Sequence, residues 1–371
     1  MKIKHGGELR NFAEKFGIPE REILDFSSNI NPLGPPASVK EAYEAAQEEL
    51  PYYPDTEALE FRREAARHFP LWPENVIAGN GAVELLDLVL RFLRPKKALL
   101  VEPCFGEYRH LLNLQGAEIR SVSLKEGNDF RFFPAEIMNA LRGVDLLILA
   151  NPNNPTGTFL TKEELGALLQ EAKRRNVFVV IDEAFVDWAP ELSLARDIRD
   201  DSLFFITRSL TKFFSLPGIR IGYGLGSRKL IEKLATHQVP WSCNRIAQKL
   251  GIAALRDQTF QDHSREWLNL ERDWLLSRLK EIPWLKVYPS VTNFLLVRYG
   301  IKNEQKPLIE EMAKCRIYLR NLTEFPGLGP FYFRMAVKKR EDNLQGIEAF
   351  NRWVGMAPPN PDPSQGVVST L

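Results

Sequence analysis

Apolar and polar residues alternate along the chain in two spacings that predict different elements. Residues 38–50 and 55–69 place apolar side chains three and four positions apart, as an amphipathic helix does. Pro51 and Pro54 lie between these two stretches and interrupt the helical pattern. The pattern therefore predicts a polar N-terminal arm over residues 1–36, followed by two short helices.

The central part of the chain, from residue 76 to about 225, has a different pattern. Short apolar runs alternate there with helical stretches, and the runs cover residues 97–101, 118–123, 145–150, 177–181, 203–207 and 221–225. Short buried runs separated by helices are typical of a largely parallel sheet with helices on both faces. We therefore expect a large α/β domain over residues 37–240.

The C-terminal third predicts a second, smaller α+β domain with its connecting helices over residues 241–356. A long helical region covers residues 244–280, and further helices are predicted at 304–314 and 340–354. Apolar runs typical of strands cover residues 286–289, 293–299, 316–320 and 331–337. The last segment, 357–371, is rich in proline and polar residues and is predicted to be disordered.

Composition and charge argue against several classes of protein. Among 371 residues, 49 basic and 48 acidic side chains leave a formal charge of +1, which favours neither nucleic acid nor an anionic membrane as a partner. No window approaches the roughly twenty apolar residues of a spanning helix, so a cytoplasmic protein is expected. Cys104, Cys243 and Cys315 are too widely spaced to suggest a disulfide framework or a metal site.

The candidate chemistry begins at Lys212. This lysine is flanked by the hydroxyl residues Ser209 and Thr211, and Arg220 follows eight positions later. Such a lysine can form a Schiff base with pyridoxal 5'-phosphate, while the hydroxyls and the arginine bind the phosphate. By itself, however, a lysine near serines is usually a solvated surface residue.

Two upstream segments strengthen the first interpretation, because each follows a predicted strand with polar side chains. Residues 151–157 read Asn-Pro-Asn-Asn-Pro-Thr-Gly, and Asp182 follows the run 177–181. Together with Lys212, these segments resemble the aspartate-aminotransferase fold family of pyridoxal-phosphate enzymes, fold type I. The resemblance implies a large domain with a mostly parallel seven-stranded sheet, a smaller α+β domain and a homodimer.

The resemblance also implies which residues hold the cofactor. Lys212 carries it covalently and Asp182 keeps its pyridine nitrogen protonated, so these two are the predicted catalytic residues. Cofactor contacts are further implied for Gly81, Ala82, Val83, Phe105, Asn154, Ser209, Thr211, Arg220 and, from the neighbouring subunit, Tyr53, which is equally compatible with a packing role. The segment 81–83 suits a phosphate because a helix begins there. Many relatives place a tyrosine shortly after the aspartate, where this chain has Phe185, so one contact to the phenolic oxygen is absent.

Two arginines near the C-terminus indicate an anionic substrate. Arg334 lies in the apolar run 331–337, where an unpaired charge would be costly. It matches the family residue that binds the α-carboxylate of the substrate, and an internal ion pair is the alternative. Arg320 ends another predicted strand and suggests that the substrate carries a second anionic group, such as a phosphate.

The N-terminal arm narrows the choice of reaction. Residues 5–10, 17–19 and 24–36 closely resemble the opening of the threonine-phosphate decarboxylase family, and the resemblance covers nearly all of the chain except the tail. It implies decarboxylation of O-phospho-L-threonine to (R)-1-amino-2-propanol O-2-phosphate and carbon dioxide, in cobalamin biosynthesis. The implied substrate-binding residues are His5, Gly6, Asn29, Asn154, Arg320 and Arg334. Histidinol-phosphate aminotransferases share the two arginines and remain the alternative; a non-catalytic protein that binds pyridoxal phosphate is a weaker one.

Overall fold

The computed structural model describes residues 6–300 and 308–354. Its α-helices are α1 Leu9–Phe16, α2 Ala37–Ala46, α3 Leu59–Arg67, α4 Ala82–Leu93, α5 Gly106–Leu114, α6 Pro134–Ala140, α7 Lys162–Arg174, α8 Leu210–Phe213, α9 Arg228–Ala235, α10 Arg245–Arg256, α11 Gln258–Lys280, α12 Leu308–Lys314 and α13 Arg340–Val354. Its strands are β1 Leu24–Asp25, β2 Val76–Gly79, β3 Lys97–Glu102, β4 Glu118–Ser123, β5 Leu146–Ala150, β6 Phe178–Asp182, β7 Phe204–Ser209, β8 Gly222–Leu225, β9 Leu285–Val287, β10 Phe294–Tyr299, β11 Ile317–Tyr318, β12 Arg320–Asn321 and β13 Tyr332–Ala336. Within these described ranges, none of the helices has the length and apolar character needed to cross a bilayer.

The large sheet has seven strands in the order β2-β8-β7-β6-β5-β3-β4, which confirms the predicted seven-stranded α/β architecture. The pairs from β7 to β4 are parallel, and β8 runs antiparallel to both of its neighbours. All five residues of β5 are buried, because helices cover both faces of the sheet. Helices α4, α5 and α9 pack on one face. Helices α6 and α7 pack on the other face, as part of the larger apolar cluster. Covering both faces explains why these strands are continuous apolar runs.

The parallel strands end at one edge of the sheet, and this edge carries the polar residues singled out in the sequence. Asp182, the last residue of β6, lies opposite Ala150 of β5 and Thr207 of β7. Ser209 ends β7 and lies opposite Gly222 of β8. Loops at the carboxyl ends of parallel strands are the usual place for a ligand site in such a fold.

The smaller sheet is antiparallel, in the order β12-β13-β10-β9. The single strand predicted at 316–320 is divided, because the residues on either side of the buried Leu319 pair with different partners. Tyr318 belongs to β11, which pairs in parallel with β1, whereas Arg320 belongs to β12, which pairs with β13. The long helical region predicted at 244–280 is two helices, separated at Asp257, whose carboxylate accepts the Phe260 N–H at 3.0 Å and caps α11.

The N-terminal arm is more structured than its polar sequence indicates. Helix α1 buries Phe12 and Ala13, and the Phe12 ring stacks on Tyr318 with 4.3 Å between the ring centroids. Strand β1 then joins the arm to β11. An eight-residue helix with two buried residues leaves a weak periodic signal, which is why the arm was not predicted to contain one. Residues 304–307 of one predicted helix and the predicted tail 357–371 lie outside the described residues.

Candidate active site

Lys212 lies on the short helix α8, which begins directly after Ser209, the last residue of β7. Its Nζ donates a hydrogen bond to Thr211 Oγ1 at 3.0 Å, and the side chain is half-buried. Burial, followed by the charges of Arg220 and Arg334, lowers the pKa of Lys212 to about 8, and the nearby Asp182 opposes this shift. A substantial fraction of the amine is therefore unprotonated near neutral pH, as a nucleophilic lysine requires.

Asp182 is buried at the end of β6, with both carboxylate oxygens occupied. The Tyr108 hydroxyl donates to Oδ2 at 2.5 Å, while Oδ1 accepts the Ala184 N–H at 3.0 Å and the Thr207 hydroxyl at 3.2 Å. Burial raises the pKa of Asp182, and these hydrogen bonds and the charge of Lys212 oppose the increase. A buried carboxylate held in this way is stabilised further by a cationic partner.

Tyr108 is a site residue that the sequence analysis missed. It is 1% exposed and its only polar atom is directed at Asp182. It lies three positions after Phe105, so the two residues share one face of the first turn of α5, and their rings meet edge to face at 5.6 Å. That spacing is the signal that could have indicated it.

The start of α4 is the part of the site that could hold an anion. Its N-cap residue is Gly81, which has a φ of 83° and no side chain that could accept a capping hydrogen bond. The backbone N–H groups of Ala82 and Val83, at the start of the helix, therefore have no acceptor from the cap residue. A Cβ at position 81 would lie 2.5 Å from Arg220 Nη2. Only glycine therefore lets this guanidinium lie against the helix N-terminus.

Strand β8 brings the hydroxyl groups to the same place. Gly222 lies opposite Gly79 on one side and Ser209 on the other, so the end of β7 is two strands, about 10 Å, from the end of β2. Ser209 Oγ is 2.8 Å from Thr211 Oγ1. The helix N-terminus, Arg220 and the two hydroxyls together provide the donors and positive charge that a phosphate needs.

Arg334, on β13, is 7% exposed and has only neutral hydrogen-bond partners. Its Nη1 donates to Asn154 Oδ1 at 2.5 Å and its Nη2 donates to the Ser27 carbonyl oxygen at 2.8 Å. Over residues 6–300 and 308–354, no carboxylate forms an ion pair with it, so the internal ion pair considered from sequence is not present there. Burial, followed by the charge of Arg320, lowers the pKa of Arg334 to about 9. The charge is available to an anionic ligand.

Arg320 lies directly opposite Arg334 in the β12–β13 pair. Burial also lowers the pKa of Arg320. Two guanidinium groups on facing positions repel each other. Their juxtaposition is stabilised when anions bind between or beside them, which suits a substrate with two anionic groups.

The arm also reaches the arginines. A Cβ at Gly6 would lie 2.2 Å from the Ser27 carbonyl oxygen and 3.5 Å from Arg334 Nη2, so the Gly6 backbone lies against the guanidinium. Asn29 is 2% exposed, and its Oδ1 is buried without a hydrogen-bond partner in the structure. His5, the third arm residue predicted to bind substrate, lies outside the described residues.

Tyr53 and Phe185 are the two aromatic residues whose roles the sequence analysis discussed, and their environments are different. Tyr53 is 76% exposed and its ring is 5.2 Å from that of Trp241. Phe185 is buried and packs edge to face on Phe294 at 5.0 Å, and the same Phe294 ring lies 5.2 Å from the guanidinium carbon of Arg334. Phe185 therefore supports the arginine through Phe294 and offers no hydroxyl to a ligand.

The residues at this edge fit pyridoxal 5'-phosphate. An amine with a lowered pKa, a buried carboxylate and a phosphate-sized cluster of donors are the three groups that the cofactor's aldehyde, pyridine nitrogen and phosphate require. The lack of a side chain at Gly81 is the clearest sign, because a Cβ there would lie 2.5 Å from Nη2 of Arg220, a cation that could bind the phosphate. Asn154 joins the two halves of the site, since it is the predicted partner of the cofactor and contacts Arg334.

Known proteins share this architecture. The family model described as aminotransferase class I and II matches residues 21–350. Threonine-phosphate decarboxylase of Salmonella typhimurium is 35% identical over 357 residues, 95% of this chain and 98% of that protein. Histidinol-phosphate aminotransferase 2 of Archaeoglobus fulgidus is 33% identical over 340 residues, 91% of this chain and 94% of its own. The structure of histidinol-phosphate aminotransferase from Clostridium acetobutylicum superimposes with a TM-score of 0.83 at 29% identity, covering 89% of this chain and 98% of that chain.

Proposed function

Because the chain belongs to the aminotransferase class I and II family, we propose that it is a pyridoxal-phosphate enzyme that decarboxylates O-phospho-L-threonine. The products are (R)-1-amino-2-propanol O-2-phosphate and carbon dioxide, and the reaction belongs to cobalamin biosynthesis in the cytoplasm. The similarity to a threonine-phosphate decarboxylase over 95% of the chain supports this reaction. The observation that carries it is the pair Arg320 and Arg334, which suits a substrate with a carboxylate and a phosphate.

The residues at the carboxyl ends of the strands of the large sheet would each hold a different part of the cofactor. When bound, pyridoxal 5'-phosphate supplies the electron sink for bond breaking. Lys212 would hold it through the amine whose pKa is lowered to about 8. Asp182 keeps a proton on the pyridine nitrogen by offering a carboxylate that is oriented by Tyr108 and Thr207. Phe105 covers the ring, and Gly81 to Val83, Ser209, Thr211 and Arg220 bind the phosphate.

The residues of the small domain and the arm set the orientation of the substrate. Arg334 binds the α-carboxylate, because it is buried and has only neutral partners among the described residues. Arg320 binds the phosphate with help from His5 and Asn29. These contacts would orient the substrate so that the bond to its α-carboxylate, and not the Cα–H bond, is the one that breaks. Lys212 Nζ is the group that would supply the proton to Cα in place of the lost carboxylate.

Transamination of histidinol phosphate is the second candidate. The supporting observation is the 33% identity to a histidinol-phosphate aminotransferase, together with the same pair of arginines. This substrate also carries an amine and a phosphate, but it has no α-carboxylate. Arg334 would then lack its main ligand in the first half-reaction and bind only the carboxylate of the amino acceptor.

We also propose that the enzyme is a homodimer and that Tyr53 contributes to the phosphate site of the partner subunit. The supporting observation is a surface of exposed apolar residues around Tyr53, which includes Leu50 at 71%, Tyr52 at 63%, Val239 at 65% and Trp241 at 50% exposure. Exposed apolar surface of this kind is typical of a protein–protein contact. A light-scattering mass of one chain at micromolar concentration would contradict the dimer.

The test of the function compares two reactions of the purified enzyme loaded with pyridoxal 5'-phosphate. We expect O-phospho-L-threonine without any keto acid to release carbon dioxide and the phosphorylated amine in equal amounts. Histidinol phosphate with 2-oxoglutarate is the comparison reaction, and Lys212→Ala is the inactive control. No gas from the first reaction together with rapid glutamate formation in the second would favour the aminotransferase. Neither reaction in a protein that binds the cofactor normally would favour a non-catalytic role.

A further inference from the structure

Ser27 is a fully buried residue at which three parts of the chain meet. Its hydroxyl oxygen accepts the N–H of Gly7, in the first part of the N-terminal arm (residues 6–16), at 2.8 Å. Its carbonyl oxygen accepts Arg334 Nη2, also at 2.8 Å. One residue therefore contacts both the arm and the guanidinium that is proposed to bind the substrate carboxylate.

Asp25 fixes the direction in which the Ser27 hydroxyl points. Asp25 Oδ1 accepts the Ser27 hydroxyl at 2.6 Å and the Ser27 N–H at 2.7 Å. Because a serine hydroxyl has one proton, the proton given to Asp25 leaves the oxygen lone pairs to accept from Gly7. Hydrogen bonds to an ionised acceptor are stronger than neutral ones, so this orientation is well defined.

The later part of the arm, which carries Ser27, is bonded to the small domain through contacts that do not involve residues 6–16. The Phe26 N–H donates to the Tyr318 carbonyl oxygen at 2.9 Å, and the Phe26 carbonyl oxygen accepts the Ala336 N–H at 2.9 Å. Ser27 thus stays beside Arg334 whether or not residues 6–16 are in place. The arm reaches it through Gly7, and the adjacent Gly6 has room only because it lacks a Cβ.

We infer that Ser27 is a positioning residue that fastens the first part of the arm, residues 6–16, over Arg334 and so raises the affinity for the substrate. Its carbonyl group orients the guanidinium, and its hydroxyl retains the arm against it. The effect on substrate affinity rests on the proposed function, whereas the retention of the arm does not. The hydroxyl alone bonds to Gly7, so a variant without it should lose the retention of residues 6–16 and keep cofactor binding unchanged.

The test compares Ser27→Ala with Ser28→Ala in the full-length enzyme loaded with cofactor. Ser28 is a matched control, because its hydroxyl donates to the same carboxylate, Asp25 Oδ2 at 2.5 Å, without bonding to the arm. For Ser27→Ala we expect hydrogen exchange of the arm peptide, residues 6–16, to accelerate at least fivefold. We also expect KM for O-phospho-L-threonine to rise about five- to tenfold, the effect of one lost hydrogen bond, with kcat changed less than twofold. Ser28→Ala should change neither quantity.

Two results would overturn the inference. One is an unchanged exchange rate in Ser27→Ala, and the other is accelerated exchange with an unchanged KM. If the alanine variant does not fold, Ser27→Cys, which nearly preserves the volume and accepts hydrogen bonds poorly, is expected to change exchange and KM in the same direction. If the wild-type enzyme transaminates histidinol phosphate and does not decarboxylate O-phospho-L-threonine, the KM comparison is made with 2-oxoglutarate, the amino acceptor whose carboxylate Arg334 would bind. Failure of the proposed function therefore leaves this test intact.

Discussion

Arg320 and Arg334 are directly opposed residues of neighbouring antiparallel strands, each with a pKa lowered chiefly by burial. Placing two like charges opposite each other destabilises a strand pair. The proposed function explains the arrangement, because the substrate brings two anions to it. Substitution of Arg320 and substitution of Arg334 should therefore affect the activity with different substrates.

We expect Arg320→Gln to lower kcat/KM for O-phospho-L-threonine about 10- to 150-fold, and to change kcat/KM for L-threonine, which has no phosphate, less than twofold. The reason is that a charge-assisted hydrogen bond to the phosphate contributes about 1.5–3 kcal/mol to the binding free energy. Arg334→Gln should reduce the activity with both substrates, since both carry the α-carboxylate. Steady-state kinetics of the two variants with the two substrates gives four values. An equal loss with both substrates in Arg320→Gln would contradict a role in binding phosphate.

The bond between Tyr108 and Asp182 predicts a change in cofactor affinity. We expect Tyr108→Phe to weaken binding of pyridoxal 5'-phosphate about five- to tenfold. Burial raises the pKa of Asp182, and the hydrogen bond from Tyr108 opposes this increase. Without that bond the carboxylate is less well stabilised as the anion that the pyridine nitrogen requires. Cofactor absorbance and fluorescence titration measure the affinity. Tyr299→Phe, which removes a hydroxyl that donates to the Pro330 carbonyl oxygen at 3.1 Å, serves as the control. Equal affinities in the two variants would contradict the role of Tyr108.

The lowered pKa of Lys212 predicts how the cofactor-free enzyme captures pyridoxal 5'-phosphate. Only the unprotonated amine attacks the aldehyde, so the capture rate should rise with pH through a midpoint near 8. An ordinary lysine would show a midpoint of about 10.4. Asp182→Asn should move the midpoint to lower pH, because the charge that opposes the shift is removed. Stopped-flow absorbance measures the rate, and a midpoint above 10 would contradict a buried, activated lysine.

The close approach of Arg220 to Gly81 predicts the effect of a methyl group. We expect Gly81→Ala to weaken cofactor binding by at least tenfold, because the Cβ would lie 2.5 Å from Arg220 Nη2 and the residue has a φ of 83°. Gly218→Ala is the control, since a Cβ there meets no atom within 4 Å. Equilibrium dialysis measures both affinities. Equal binding by the two variants would show that the phosphate does not require this contact.

Much of the architecture could be predicted because its signals are local. Residues 146–150 and 177–181 are apolar along their whole length, which indicates strands buried on both faces, and polar residues follow them directly. Lys212, Ser209 and Arg220 are close in sequence, so their shared position also follows from a short segment. The strand predicted at 316–320 was wrong as a single element, because two-residue strands have no periodic signal and their pairing depends on the distant β1 and β13.

The sequence by itself determined the order of buried strands and helices and the chemical groups at the ends of those strands, since burial on two faces and helix starts are recorded within a few neighbouring residues. Only the tertiary structure decided which groups meet. Tyr108 is 74 residues from Asp182, and Ser27 is 307 residues from Arg334, yet each pair is joined by one hydrogen bond. A hydrogen bond between distant residues leaves no periodicity in either segment. Its existence depends on how the strands are paired and how the arm packs on Tyr318.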